Sequence, residues 1–222
     1  MGFNLSGIAI NKNFEADFDY LQEKLGWNLE KQSEIDFETA SSNWQEEGIC
    51  DVYFSEQGTL LFISMDRCTE SFSIENQNVL TFALSETSMA FNIIYTENCI
   101  EKRSIMQVED HRMHDEGEKL AVESTSEDPS EIIWNQMGVV LGKPFWDIAS
   151  DAKATRYIFN ISKPQLKEEA TSTESEITVP KDGKITYESE SESDQGSIKT
   201  KKQAPYPIKT PATEKKWWEF WK

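Results

Sequence analysis

The stretch "ICDVYFSEQGTLLFISM", Ile49 to Met65, is the one on which the fold turns. Two apolar runs rich in aromatic and β-branched residues flank Glu56-Gln57-Gly58. A short polar break ending in glycine between two such runs reads as a β-hairpin. The pattern recurs at "SMAFNIIYTENCIEKRSIMQVE", Ser88 to Glu109, around Glu97-Asn98. Hairpin-joined strands are antiparallel neighbours, whereas a parallel pair needs a crossover of about a dozen residues. The centre of the chain therefore predicts an antiparallel sheet.

Working outward, "EIDFETA" (Glu34 to Ala40) alternates Ile35, Phe37 and Thr39 as a strand does, and "KLAVES" (Lys119 to Ser124) and "RYIFNI" (Arg156 to Ile161) read as further strands. Phe3 to Ile10 supplies a first strand. Its Gly2 and Ser6 also match an N-myristoylation pattern, although a strand held in a sheet would hide that glycine. "NQNVLTFALSE" (Asn76 to Glu86) suits a short helix as well as a buried strand. Two segments read as helices. Phe14, Phe18, Leu21 and Leu25 recur at helical spacing between a cap at Asn11 or Asn13 and a terminating Gly26. In "DPSEIIWNQMGVVLG", Asp128 is a natural N-cap, Pro129 suits the first turn, Glu131 completes a capping box, and Gly142 with Pro144 ends the helix. The expected class is α+β: a mainly antiparallel sheet with one helix near the N-terminus and one near residues 129–142, followed by a disordered tail.

The expected organisation has three parts: an acidic domain over 1–162, a disordered Ser/Thr/Glu/Lys/Pro-rich linker over 163–213, and an amphipathic aromatic-basic peptide over 214–222. Charge supports this division. Of 40 acidic and 22 basic residues, 29 and 11 lie in 1–160, so that region carries the whole excess of −18 and the rest of the chain cancels. Nucleic acid is excluded as a partner of so acidic a body, and a basic protein surface is favoured. Between Lys199 and Lys222 seven lysines against two glutamates make the last segment basic.

Catalytic and cofactor motifs are missing. No Gly-rich phosphate loop, nucleophile elbow or HExxH helix occurs, and no cofactor is expected. His111 and His114 stand among Glu109, Asp110, Asp115 and Glu116 in a polar loop. They are the one pair that would serve a metal-dependent hydrolase, with a solvated surface loop as the plain alternative. Cys50, Cys68 and Cys99 lack CxxC spacing and are expected as three reduced, mostly buried thiols. Trp27, Trp44, Trp134 and Trp146 sit in apolar patterns and are expected as core and edge packing.

The final peptide "EKKWWEFWK" (Glu214 to Lys222) is different. At 100° per residue Trp217, Trp218, Phe220 and Trp221 fall within an arc of about 160°, with Lys215, Lys216, Glu219 and Lys222 opposite. Aromatic rings beside lysines suit an anionic membrane interface, the groove of a partner protein, or a patch on the chain's own domain. Four half-buried aromatics contribute about 8 kcal/mol gross at ~25 cal/mol per Å², against about 1 kcal/mol for each ordered residue, so docking is reversible. The expectation is a non-enzymatic, cytoplasmic interaction protein, peripheral at the inner face of a membrane. Its acidic domain binds a protein partner, and the Trp/Lys peptide docks it reversibly. An immunity-like inhibitor that neutralises a basic toxin or enzyme is the alternative.

Overall fold

The computed structural model describes residues 2–160. Among these, strands β1 (Asn4–Ile10), β2 (Leu29–Asp36), β3 (Ile49–Phe54), β4 (Thr59–Ile63), β5 (Asn78–Ser85), β6 (Ala90–Glu97), β7 (Ile100–Val108), β8 (His111–Gly117) and β9 (Lys153–Phe159) form a single sheet. Its order is β2-β9-β3-β4-β1-β5-β6-β7-β8, and every neighbouring pair is antiparallel. Three α-helical segments accompany it: α1 (Phe18–Leu25), the single turn α2 (Phe37–Ala40) and α3 (Pro129–Leu141). The antiparallel sheet agrees with the sequence reading. The two expected helices are present as α1 and α3, but the helices are few, so the fold is dominated by its sheet, with α3 packed on one face and α1 on the other. None of them is long and apolar enough to cross a membrane.

Covering both faces explains the central strands. Along β4, Leu60 and Phe62 pack towards α3 while Leu61 and Ile63 pack towards α1. The same alternation splits β5 into Leu80, Phe82 and Leu84 on one side and Val79 and Ala83 on the other. A strand buried on both faces is a continuous apolar run, which is why Asn76–Glu86 also reads as a helix. On the α1 side the segment 65–74 lies over the sheet, and buried β6 side chains bond its backbone. Asn92 Nδ2 donates to the Cys68 carbonyl at 2.8 Å and Thr96 Oγ1 to that of Phe72 at 2.9 Å. The polar residues that interrupt β6 therefore keep their hydrogen bonds on burial.

Helix ends follow local chemistry. Asp128 accepts from the backbone N–H groups of Ser130 and Glu131, and Gly142 closes α3 in the left-handed region. The Asp128 N–H itself bonds Ser126 Oγ, so the expected return bond from Glu131 is not what satisfies it. Helix α1 starts at Phe18, one turn later than Phe14 led the sequence to predict. Asn13 Oδ1 is occupied by the Glu15 N–H in a preceding turn. Gly26 ends α1 as expected.

Three sequence expectations are overturned. "EIDFETA" is not one strand: β2 stops at Asp36, whose carboxylate accepts the Thr39 N–H at 2.7 Å and starts the turn of α2. "KLAVES" is not a strand but contains a 3₁₀ turn over Ala121–Ser124. "DHRMHDEGE" is not a loop, because His111–Gly117 is β8, an outermost strand exposed on both faces. A solvated edge strand has no apolar alternation to betray it, and its charges are what deter edge-to-edge pairing.

Candidate functional site

The residue types of α3 raise the first question about a site. "PSEIIWNQMGVVL" contains more apolar residues than one packed face requires. Ile132, Ile133, Met137, Val140 and Leu141 meet the sheet, which leaves Val139 on the outer face, 64% exposed. Val139 is the one apolar residue on an outer side otherwise carried by Glu131 and Asn135, and it acquires interest only from the aromatic residues beside it. After Gly142 the chain turns through Pro144 into a 3₁₀ turn, Phe145–Asp147. Phe145 points inward there and Trp146 outward, 57% exposed.

These elements meet the residue that leads into β1. Phe3 lies edge-on to Trp134 at 5.7 Å and to Trp146 at 5.1 Å between ring centroids. Trp134 touches Phe145 at 4.8 Å and Trp146 at 5.0 Å. Four rings thus form a connected cluster with its base in the core and its outer members in solvent. The edge-to-face geometry of Phe3 against both tryptophans stabilises such a cluster beyond its buried area. A groove of about 440 Å³ runs beside it, floored by Gly138, where an added Cβ would meet the Pro144 Cα at 3.4 Å. Phe3 also borders a second depression, of about 680 Å³, lined by Gly2, Asn4, Ser42, Asn43 and Thr87. Charge rims the surface: Glu86 accepts the Phe3 N–H at 2.9 Å, Asp147 follows Trp146, and Lys143 lines the groove. The sequence reading assigned Trp146 to core and edge packing, and it packs at the edge against Phe3, Trp134 and Phe145, while the turn after Gly142 leaves its other side in solvent.

A second constellation is structural. Arg103, 2% exposed, donates from Nε and one terminal nitrogen to both oxygens of Glu123 at 2.8 Å, and from the other to the Glu116 carbonyl at 2.9 Å. Asp115 completes the pairing and also binds Arg112 at 2.7 Å. Burial opposes the charge on Glu123, but the bonds from Arg103 and the Leu120 N–H outweigh it and hold the carboxyl below its ordinary range. The Glu123 bond from Arg103 is also the chief cause that raises the guanidinium. On the same side of the sheet, buried Asp51 takes a bidentate pair of bonds from its cross-strand partner Arg156 at 2.8 and 2.7 Å. Neither pair was legible from motifs. The available signal was a charged residue at an inward position of an alternating strand, Arg103 two before Ile105 and Asp51 two before Tyr53.

His111 and His114 lie on β8, opposite Val108 and Met106. Three residues apart, they would face opposite sides of a regular strand. A bulge around Met113 returns both to one face. His114 Nδ1 is 3.9 Å from a Glu116 carboxylate oxygen. Among the described residues no group of three or more His, Cys, Asp or Glu side chains is gathered in a way that would hold a metal ion, so the geometry gives the hydrolase reading no support. Of the cysteines, Cys50 and Cys68 are buried and Cys99 is exposed. Burial pushes both buried thiols up, far from the thiolate needed for reactivity. Cys99 stands exposed in the β6–β7 turn, so two of the three thiols are buried, in line with the expectation that they are mostly so.

The expected docking peptide, with Lys215, Lys216, Trp217, Trp218, Phe220, Trp221 and Lys222, lies outside the described residues, as does the linker over 163–213. No family model, curated protein or solved structure matches this chain.

Proposed function

We propose that the chain is a non-enzymatic interaction protein whose acidic sheet domain binds a basic protein partner and whose Trp/Lys peptide over 215–222 docks reversibly on an anionic membrane surface. The observation that carries the reading is the Phe3–Trp134–Val139–Trp146 surface. Exposed aromatic rings beside an open groove are the make-up of an interface centre, where Trp, Tyr and Phe are enriched. The net charge of −18 supplies long-range attraction to a basic partner. An immunity-like inhibitor of a basic toxin or enzyme is the special case in which that partner's activity is blocked.

Two measurements test the two halves. Vesicles of phosphatidylserine and phosphatidylcholine should co-sediment with the full chain at low salt and leave the chain lacking 215–222 in solution. Equal binding of both overturns the membrane half. Partners captured on the full chain should be released by 0.5 M salt and weakened at least tenfold by Val139→Glu with Trp146→Ser. Capture that is indifferent to both overturns the partner half.

A further inference from the structure

We infer that the Trp217–Lys222 segment docks in cis on the Phe3–Trp134–Val139–Trp146 surface, so that the chain masks its own binding face until membrane or partner displaces the peptide. The inference rests on the reading of that surface as a docking face and names its resting occupant.

Three observations converge on this occupant. The first is apolar chemistry. The surface offers two half-exposed rings, an exposed valine and a groove of about 440 Å³, a volume within the range of about 300–1,000 Å³ typical of small-molecule pockets and so roomy enough for an aromatic side chain. The segment brings Trp217, Trp218, Phe220 and Trp221, which share one arc when helical. Helix-in-groove recognition uses apolar anchors spaced in this way.

The second is charge. Residues 1–160 hold 29 acids against 11 bases, and Lys199–Lys222 holds seven lysines against two glutamates. Glu131 and Asp147 belong to the elements that carry the aromatic surface and Glu86 bonds the Phe3 N–H, against the one base Lys143 in the groove lining, and Lys215, Lys216 and Lys222 flank the segment's rings. A neutral or acidic aromatic peptide would lack this match.

The third is reach. Residues 161–216 separate the last described residue from Trp217. At the random-coil dimensions that its Ser/Thr/Glu/Lys/Pro-rich composition predicts, a chain of that length would span about 40 Å root-mean-square, against a radius of gyration of about 15 Å for a domain of 160 residues. Every face of the domain is within range, at an effective concentration of order millimolar. A contact too weak to persist between separate molecules is therefore substantially formed within one. It is also weak enough for a membrane or a partner to displace.

The test uses the full chain, the chain lacking 215–222, and the full chain with Trp217, Trp218 and Trp221 all changed to Ser. Backbone amide spectra should differ between the first and the other two at Phe3, Trp134, Val139 and Trp146. The differences should survive hundredfold dilution and vanish in full chain carrying Val139→Glu, an exposed position whose substitution leaves the core intact. Nile red should fluoresce at least threefold more brightly on the chain lacking 215–222 than on the full chain. Identical amide spectra at the four residues overturn the inference. Differences that fade on dilution also overturn it, because the occupant is then the peptide of a second copy. If Val139→Glu with Trp146→Ser dims Nile red on the shortened chain while the peptide changes nothing, the docking face stands and only its occupant is wrong. If that double variant leaves Nile red unchanged, it is the face itself that fails.

Discussion

Cys99 occupies the left-handed region at φ 63°, next to Asn98 at φ 46°, in the two-residue connection between β6 and β7. Two successive positive φ values are the geometry of a type I′ turn, whose twist matches that of the strands it joins. Asn tolerates the first position. The second is normally glycine, because a Cβ there meets the following carbonyl at a cost of about 1–2 kcal/mol. Cys99→Gly relieves that strain and returns about 0.5–1 kcal/mol to the freedom of the unfolded chain. A net gain of about 0.5–1 kcal/mol in denaturant unfolding is expected, and loss of stability would refute the assignment of strain. The turn was legible in the sequence, but its centre was read as Glu97-Asn98, one residue early. A turn dipeptide is recognised by glycine, and this one has none. For Trp146 edge packing was legible, but how much of the ring stays in solvent depends on the direction of the turn after Gly142, which no local pattern gives.

At the scale of elements, the Arg103–Glu123 pair ties the 3₁₀ turn Ala121–Ser124 to β7 and leads the chain towards α3. Both side chains are almost fully buried, at 2% and 3% exposed, so removing the Glu123 charge leaves Arg103 in a dry site with Asp115 as its remaining carboxylate partner. Glu123→Gln should cost about 3 kcal/mol at pH 7 by denaturant unfolding. The sign with pH follows from the depressed carboxyl. Its ordinary value is 4.5, the stability it confers is fully present above that, and it is lost as pH falls through the lower folded value. The difference between wild type and variant should therefore shrink below about pH 4.5 and be constant above about pH 6. A difference that grows on acidification would sink the account. This element was read as a strand, since "KLAVES" has apolar residues in alternation. What makes it a turn is a carboxylate answering an arginine twenty residues earlier, and no local pattern records that.

For the whole molecule, an excess of 18 negative charges concentrated in the first 160 residues repels itself in the folded state. Screening at 0.15 M salt shortens the range of that repulsion to about 8 Å. Raising sodium chloride from 20 mM to 200 mM should lift the midpoint of thermal unfolding by several degrees, read by circular dichroism. The Arg103–Glu123 increment should change little over the same range, because the pair is shielded from ions. An unchanged or lower midpoint would show that the excess charge is locally compensated. On the proposed reading, the same field would draw basic groups towards rings that any apolar group would meet equally well.

Local chemistry by itself determined the two hairpins, the caps and ends of α3, the stop of α1 at Gly26, and the uneven charge. Each depends on residues within a few positions of one another, where backbone geometry and capping have few solutions. Only the tertiary structure decided that β9 returns to lie between β2 and β3, with Arg156 opposite Asp51. A slip of β9 by one residue there would turn Arg156 to the other face and leave Asp51 buried and unpaired. It alone also decided which apolar residues stay uncovered. Burial is set by segments distant in sequence: Phe3, α3 and the turn at Trp146 come together across more than 120 residues, and no window along the chain contains all three.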